Sequence, residues 1–117
     1  MKKDAMSELL VVLMTASSQE EADRIATTLV QEMLAACVNV IPGMTSVYRW
    51  EGEVQRDQEW LLIAKSRRDV LRDLVRRVEA LHSYDVPEII AVPLVGGSDG
   101  YLYWLDREVH GSWHDVD

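Results

Sequence analysis

The sequence of 117 residues is 48% apolar and 27% charged, a composition that fits one globular domain with a sizeable core and excludes extensive disorder. A net charge of −8 argues against broad contact with nucleic acid or anionic membranes, while a single cysteine, Cys37, excludes an internal disulfide and fits a cytoplasmic location. The longest early apolar run, Leu9 to Met14, is too short to cross a membrane or to form a convincing secretion signal.

Residues 1–7 are polar and expected to form a flexible end, as are residues 111–117, leaving one domain over 8–110. Leu9 to Thr15 reads as a central strand buried on both faces, because it is apolar without alternation. Ser18 and Glu21 have capping-box spacing, and Ala22, Ile25, Ala26, Leu29, Val30, Met33 and Leu34 draw one apolar stripe, which predicts a first helix.

Val38 to Trp50 is largely β-branched, aromatic or apolar, and thirteen such residues reach about 43 Å as a strand. A turn at Glu51-Gly52 sets Trp50 opposite Glu53 and Tyr48 opposite Gln55. The same register brings Gly43 opposite Trp60 unless a bulge intervenes. Pro42 cannot donate to a ladder, so two strand halves are expected rather than one. So long a ribbon exceeds what the helices of one small domain can cover.

The second arm of the hairpin ends in the apolar run Trp60 to Ala64. Arg68 to Leu81 then gives a second helix, with Val70, Leu71, Leu74, Val75, Val78 and Leu81 as its inward stripe. Half of the twelve basic residues fall between Lys65 and Arg77, and interleaved Asp69 and Asp73 make that segment a solvated face rather than an anion site. Glu88 to Val95 reads as a fourth strand with Pro93 near the end of its pairing, and Gly100 to Val109 as a short third helix.

Strand-helix-strand occurs twice in this order. Right-handed crossovers place both long helices on one side of a four-stranded antiparallel sheet, an α+β ferredoxin-like sandwich (βαββαβ plus a short C-terminal helix). The other sheet face is expected to lack helices. A bare apolar face with an overlong hairpin predicts a homo-oligomer.

The sequence resembles the CutA-type divalent-cation tolerance proteins over about Leu9 to Val109. The resemblance rests on LAACVN at residues 34–39, IPGMTSVY at 41–48, Trp50-Glu51-Gly52, His82, Tyr84, Pro87-Glu88-Ile89 and Tyr101-Leu102. It implies a small cytosolic homotrimer joined by its long hairpins and linked to tolerance of copper and other divalent cations. It also implies an inter-subunit cleft lined by Trp50, Lys65, Tyr84, Glu88 and Tyr101. The family's assembly is similar to that of trimeric PII signalling proteins, so a PII-like adaptor binding a small molecule or protein in the cleft is the alternative.

His82-Ser83-Tyr84-Asp85 replaces the common His-Pro-Tyr-Glu, which is expected to loosen that turn, and Met14 and Leu81 stand where some members carry cysteine and a second histidine. The metal candidates are His82, Met14, Cys37 and Glu88: an imidazole near carboxylates suits Cu(II), and soft sulfur suits Cu(I). Bland readings stand beside them. His82 can simply terminate a helix, Cys37 can pack as a small hydrophobe, and Met14 can fill the core.

No nucleophile with a partnered base is visible, so the expectation is a non-enzymatic protein without an organic cofactor. Gly96-Gly97 leads into Asp99, which disfavours phosphate binding there.

Overall fold

The apolar run near the N-terminus becomes the middle of the sheet. The computed structural model describes residues 8–110, and the ends expected to be flexible, 1–7 and 111–117, lie outside the described residues. Its elements are β1 (Leu9–Ala16), α1 (Gln19–Gln31), β2 (Cys37–Trp50), β3 (Glu53–Arg67), a 3-10 turn (Arg68–Val70) running into α2 (Leu71–Leu81), β4 (Ile89–Pro93) and α3 (Asp99–Glu108). The strands lie in the order β2-β3-β1-β4 and every neighbour is antiparallel, as the ferredoxin-like reading requires.

Side-chain alternation sorts β1 and β3 into two faces. Leu10, Val12, Met14 and Ala16 of β1, with Leu62, Ala64 and Ser66 of β3, are buried on one face, where Val12, Met14, Ala16, Leu62 and Ala64 share a core with Ala22, Ile25 and Leu29 of α1 and Leu74 and Val78 of α2. Each fully buried leucine there contributes about 1.5–3 kcal/mol by leaving water. Ser66 is the one hydroxyl in that wall, and it is satisfied by donating to the Leu34 carbonyl at 2.6 Å.

The first helix starts where expected, but its capping box is only half formed. Ser18 Oγ accepts the Glu21 N–H at 3.1 Å, whereas the Glu21 carboxylate reaches one residue further back and takes the Ser17 N–H at 2.8 Å. The helix ends at Gln31. Met33 adopts φ +60, the left-handed conformation that closes a helix, and Leu34 tucks back with its N–H on the Leu29 carbonyl at 2.9 Å.

The hairpin turns at Glu51-Gly52, both with positive φ, and pairs Trp50 with Glu53 and Tyr48 with Gln55 as predicted. The expected break at Pro42 is milder than two strand halves. β2 runs unbroken for 14 residues, and its irregularity is a β-bulge, with Ile41 paired to Leu61 and Met44 to Glu59. Pro42 and Gly43 therefore share the position opposite Trp60, and Gly43 supplies the φ of +81.

One extra residue inverts the parity of everything beyond it. Before the bulge, Cys37, Asn39 and Ile41 face the side away from α1 and α2; after it, Met44, Ser46, Tyr48 and Trp50 face that same side, opposite Glu59, Asp57, Gln55 and Glu53. Without the bulge, both aromatics would point the other way.

The face away from α1 and α2 is not bare, contrary to expectation. α3 covers one end of it: Arg67, paired with Leu9, donates from Nη1 to the Asp106 carbonyl at 3.1 Å, and Tyr101 meets Cys37. Leu102, Leu105 and Val109 bury their side chains there. Beyond α3 the face stays open, with Ile90 52% and Val92 46% exposed on edge strand β4.

Candidate functional site

A groove of about 600 Å³ opens at the far end of this face, between the outer hairpin and the segment that precedes β4. Its walls are Tyr48 and Trp50 from β2, Glu59 from β3, and Tyr84, Asp85 and Glu88 from the connection. Glu59 is only 7% exposed, and its Oε2 accepts the Tyr84 hydroxyl at 2.7 Å. Burial, reinforced by this bond, holds the Tyr84 phenol well above its ordinary pKa. Tyr48 similarly donates to Asp57, so a carboxylate fixes each tyrosine ring.

The turn bearing Tyr84 is tied to the N-terminus of α1 through Glu21. Its carboxylate accepts from Ser17 N–H at 2.8 Å, Ser17 Oγ–H at 2.9 Å and Ser83 N–H at 2.6 Å. Burial pushes its pKa up, yet these hydrogen bonds outweigh that and lower it to about 2. Ser83 thus tightens the turn, the reverse of the expectation. A proline there would lack the N–H that Glu21 accepts.

His82 has a fully buried side chain with both ring nitrogens engaged. Nε2 lies 2.8 Å from the Thr15 carbonyl, which can only accept, and Nδ1 lies 3.1 Å from the Tyr84 N–H, which can only donate. The ring thus meets a carbonyl at Nε2 and an N–H at Nδ1, with the Glu21 carboxylate 3.6 Å from Nδ1. His82 stands at the C-cap of α2.

The other metal candidates do not gather around it. Met14 is buried against Leu62 and Ile89, its partners in register, and Cys37 is half-buried at the opposite end of β2. Glu88 is exposed at the rim of the groove. Among the described residues, no three His, Cys, Asp or Glu side chains form a metal-holding group.

Of the residues expected in a shared cleft, one chain brings together Trp50, Tyr84 and Glu88. Lys65 sits six residues along β3 from Glu59, about 20 Å away, where Nζ donates to Asn39 Oδ1 and lies 3.9 Å from Cys37 Sγ. Tyr101 stays with Cys37, and its ring centroid is 5.4 Å from that of Trp104.

Glu59 and Asp57 were missed from the sequence. A lone acid between Gln58 and Trp60 at the start of an apolar run is a visible signal, but placing it beside Tyr48 and Trp50 requires the bulge.

The CutA1 divalent ion tolerance protein profile matches residues 10–108, almost the whole described domain. The chain belongs to this family. The divalent-cation tolerance protein CutA of Thermus thermophilus is 55% identical over 95 residues, which span 81% of this chain and 92% of that one. The chloroplastic CutA protein of Arabidopsis thaliana is 54% identical over 96 residues, 82% of this chain but 53% of the plant protein. The chain thus spans about half the length of that relative.

Among solved structures, the divalent cation tolerance protein (Cut A1) from Thermus thermophilus superposes with a TM-score of 0.86 at 51% identity, covering 87% of this chain and 99% of that one. CutA1 from Oryza sativa superposes at 0.87 with 46% identity, over 92% and 99% of the two chains. These matches lend no support to the PII-like alternative. Among the described residues, no helix of this CutA chain is long and apolar enough to cross a membrane.

Proposed function

We propose that this CutA protein acts in divalent-cation tolerance as a non-enzymatic cytoplasmic homotrimer that binds copper or a similar cation weakly. The observation carrying this reading is the family match across residues 10–108, joined to relatives whose names state divalent-cation tolerance. The open sheet face supports assembly, because Ile90 and Val92 on an edge strand and the long hairpin offer an apolar seam to other copies. The two carboxylates at the groove rim, Asp85 and Glu88, support weak binding, since they offer a cation few ligands.

Native mass spectrometry during a copper titration tests it. A 13.3 kDa chain is expected to appear near 40 kDa, three times its mass, and to take up copper in steps. Uptake should fall in the Asp85→Asn/Glu88→Gln double variant and persist in His82→Ala. A monomer, or uptake that depends on His82 and ignores the carboxylates, overturns the reading.

A further inference from the structure

The chain reaches its last described residue at a fixed point. Val109 is buried, and His110 donates its N–H to the Met33 carbonyl at 3.0 Å, which fastens the chain after α3 to the C-terminus of α1. The sequence continues from there as Gly111-Ser112-Trp113-His114-Asp115-Val116-Asp117. Three extended residues span about 10 Å, so Trp113 stays within that distance of His110.

A second groove, of about 530 Å³, opens inside this reach, because Met33 itself forms part of its wall. It runs between the end of α1 and α2, on the helix layer and away from the open sheet face that offers a seam to other copies. Met33 is 37% exposed there although large and apolar, and Leu34 and Ala80 extend the apolar strip. Glu32 and Arg77, both in the wall, neutralise each other through two contacts of 2.9 Å. Arg76 makes no ion pair with any described residue. Asp73 is the remaining charge of the wall, and it lies farther along α2 from Ala80 than Arg76 does.

The continuing sequence matches this wall in chemistry and spacing. Methionine sulfur and guanidinium groups both attract aromatic rings, which suits an indole beside Met33 and Arg76. Arg76 and Ala80 stand one helical turn apart, about 6 Å. In an extended segment Trp113 and Asp115 project to the same side about 7 Å apart, so an indole over Ala80 sets a carboxylate beside Arg76.

We propose that this groove is the seat of the chain's own C-terminal segment, with Trp113 against Met33, Leu34 and Ala80 and Asp115 paired to Arg76, in place of the flexible end that its polarity suggests. The inference goes beyond the cation-tolerance reading and requires neither a metal nor the seam between copies.

Nuclear Overhauser spectra of the full-length protein, methyl-labelled at methionine and alanine, test it. Contacts from the Trp113 indole to the Met33 and Ala80 methyl groups are expected. Met33→Asn tolerates the left-handed φ and removes the apolar wall. It should abolish the contact to Ala80 and move the Trp113 indole N–H resonance to its position in a peptide of residues 111–117. Arg76→Glu should weaken docking by about threefold or more, read from the same resonance, and Asp115→Arg in that chain should restore it.

A Trp113 resonance at the peptide's position in the parent overturns the proposal, as does one unmoved by Met33→Asn and Arg76→Glu in variants that melt as the parent does. Co-refolding the labelled parent with about a tenfold excess of unlabelled Arg76→Glu chains should leave the contacts in place. Their loss would assign the groove to a neighbouring copy's segment and overturn the proposal too.

Discussion

The two faces of the sheet are built from the same strands and behave as different materials. Toward α1 and α2, the inward residues of β1 and of β3 from Leu62 to Ser66 are small or aliphatic, buried and free of charge, with Ser66 as a single satisfied hydroxyl. On the other face, α3 covers one end, aliphatic side chains stay exposed in the middle, and a buried carboxylate with three aromatic rings occupies the far end. The first face specifies the fold, while the second leaves chemistry accessible. Because side chains alternate along β1 and β3, neighbouring residues serve these two purposes in turn.

If the division is sound, substitutions should separate cleanly. Leu62→Ala on the covered face should cost about 2–5 kcal/mol and lower the denaturant midpoint of the isolated chain and its assembly alike. A loss under about 1 kcal/mol would mean that the covered face is not where stability resides.

Glu21 sharpens the comparison at the border, where α1 holds the turn beside the groove. Its folded pKa of about 2 lies below the ordinary 4.5, so its contribution is present above the unfolded value and disappears as pH falls from about 4.5 toward 2. That contribution is roughly 3 kcal/mol at neutral pH. Glu21→Gln should remove much of it and flatten the fall in stability between pH 5 and pH 2, an interval set by the two pKa values. An unchanged pH profile would show that the carboxylate does not hold the turn.

The smallest effect on folding should come from Ile90→Lys on the open face. Unfolding free energy measured on monomeric chains should change by no more than about 0.5 kcal/mol. Sedimentation should nevertheless show weakened self-association if that face is the seam. A large loss of intrinsic stability would erase the distinction between the faces.

Much of this was legible in the residues themselves. The continuous apolar run of β1, the stripes of both long helices and the Glu51-Gly52 turn are local patterns, and each fixed its element to within a few residues. What the sequence did not show at the site was non-local. His82 looked like a ligand because sequence shows an imidazole near carboxylates but not the Thr15 carbonyl and Tyr84 N–H that occupy its nitrogens. Ser83 looked like a weakness because its partner, Glu21, is 62 residues away. Glu59 was overlooked because a single inserted residue in the facing strand decides which side chains it meets.

The Pro42-Gly43 bulge gives the hairpin a property useful in redesign. Since orientation is set at the bulge, the arms beyond it can be lengthened or shortened in steps of two residues per strand without rotating any side chain to the other surface. Each step slides Tyr48 and Trp50 by about 7 Å relative to Glu59. Reach and facing are thereby uncoupled, and the span between aromatic wall and charge becomes a discrete dial that substitutions at the groove itself leave untouched.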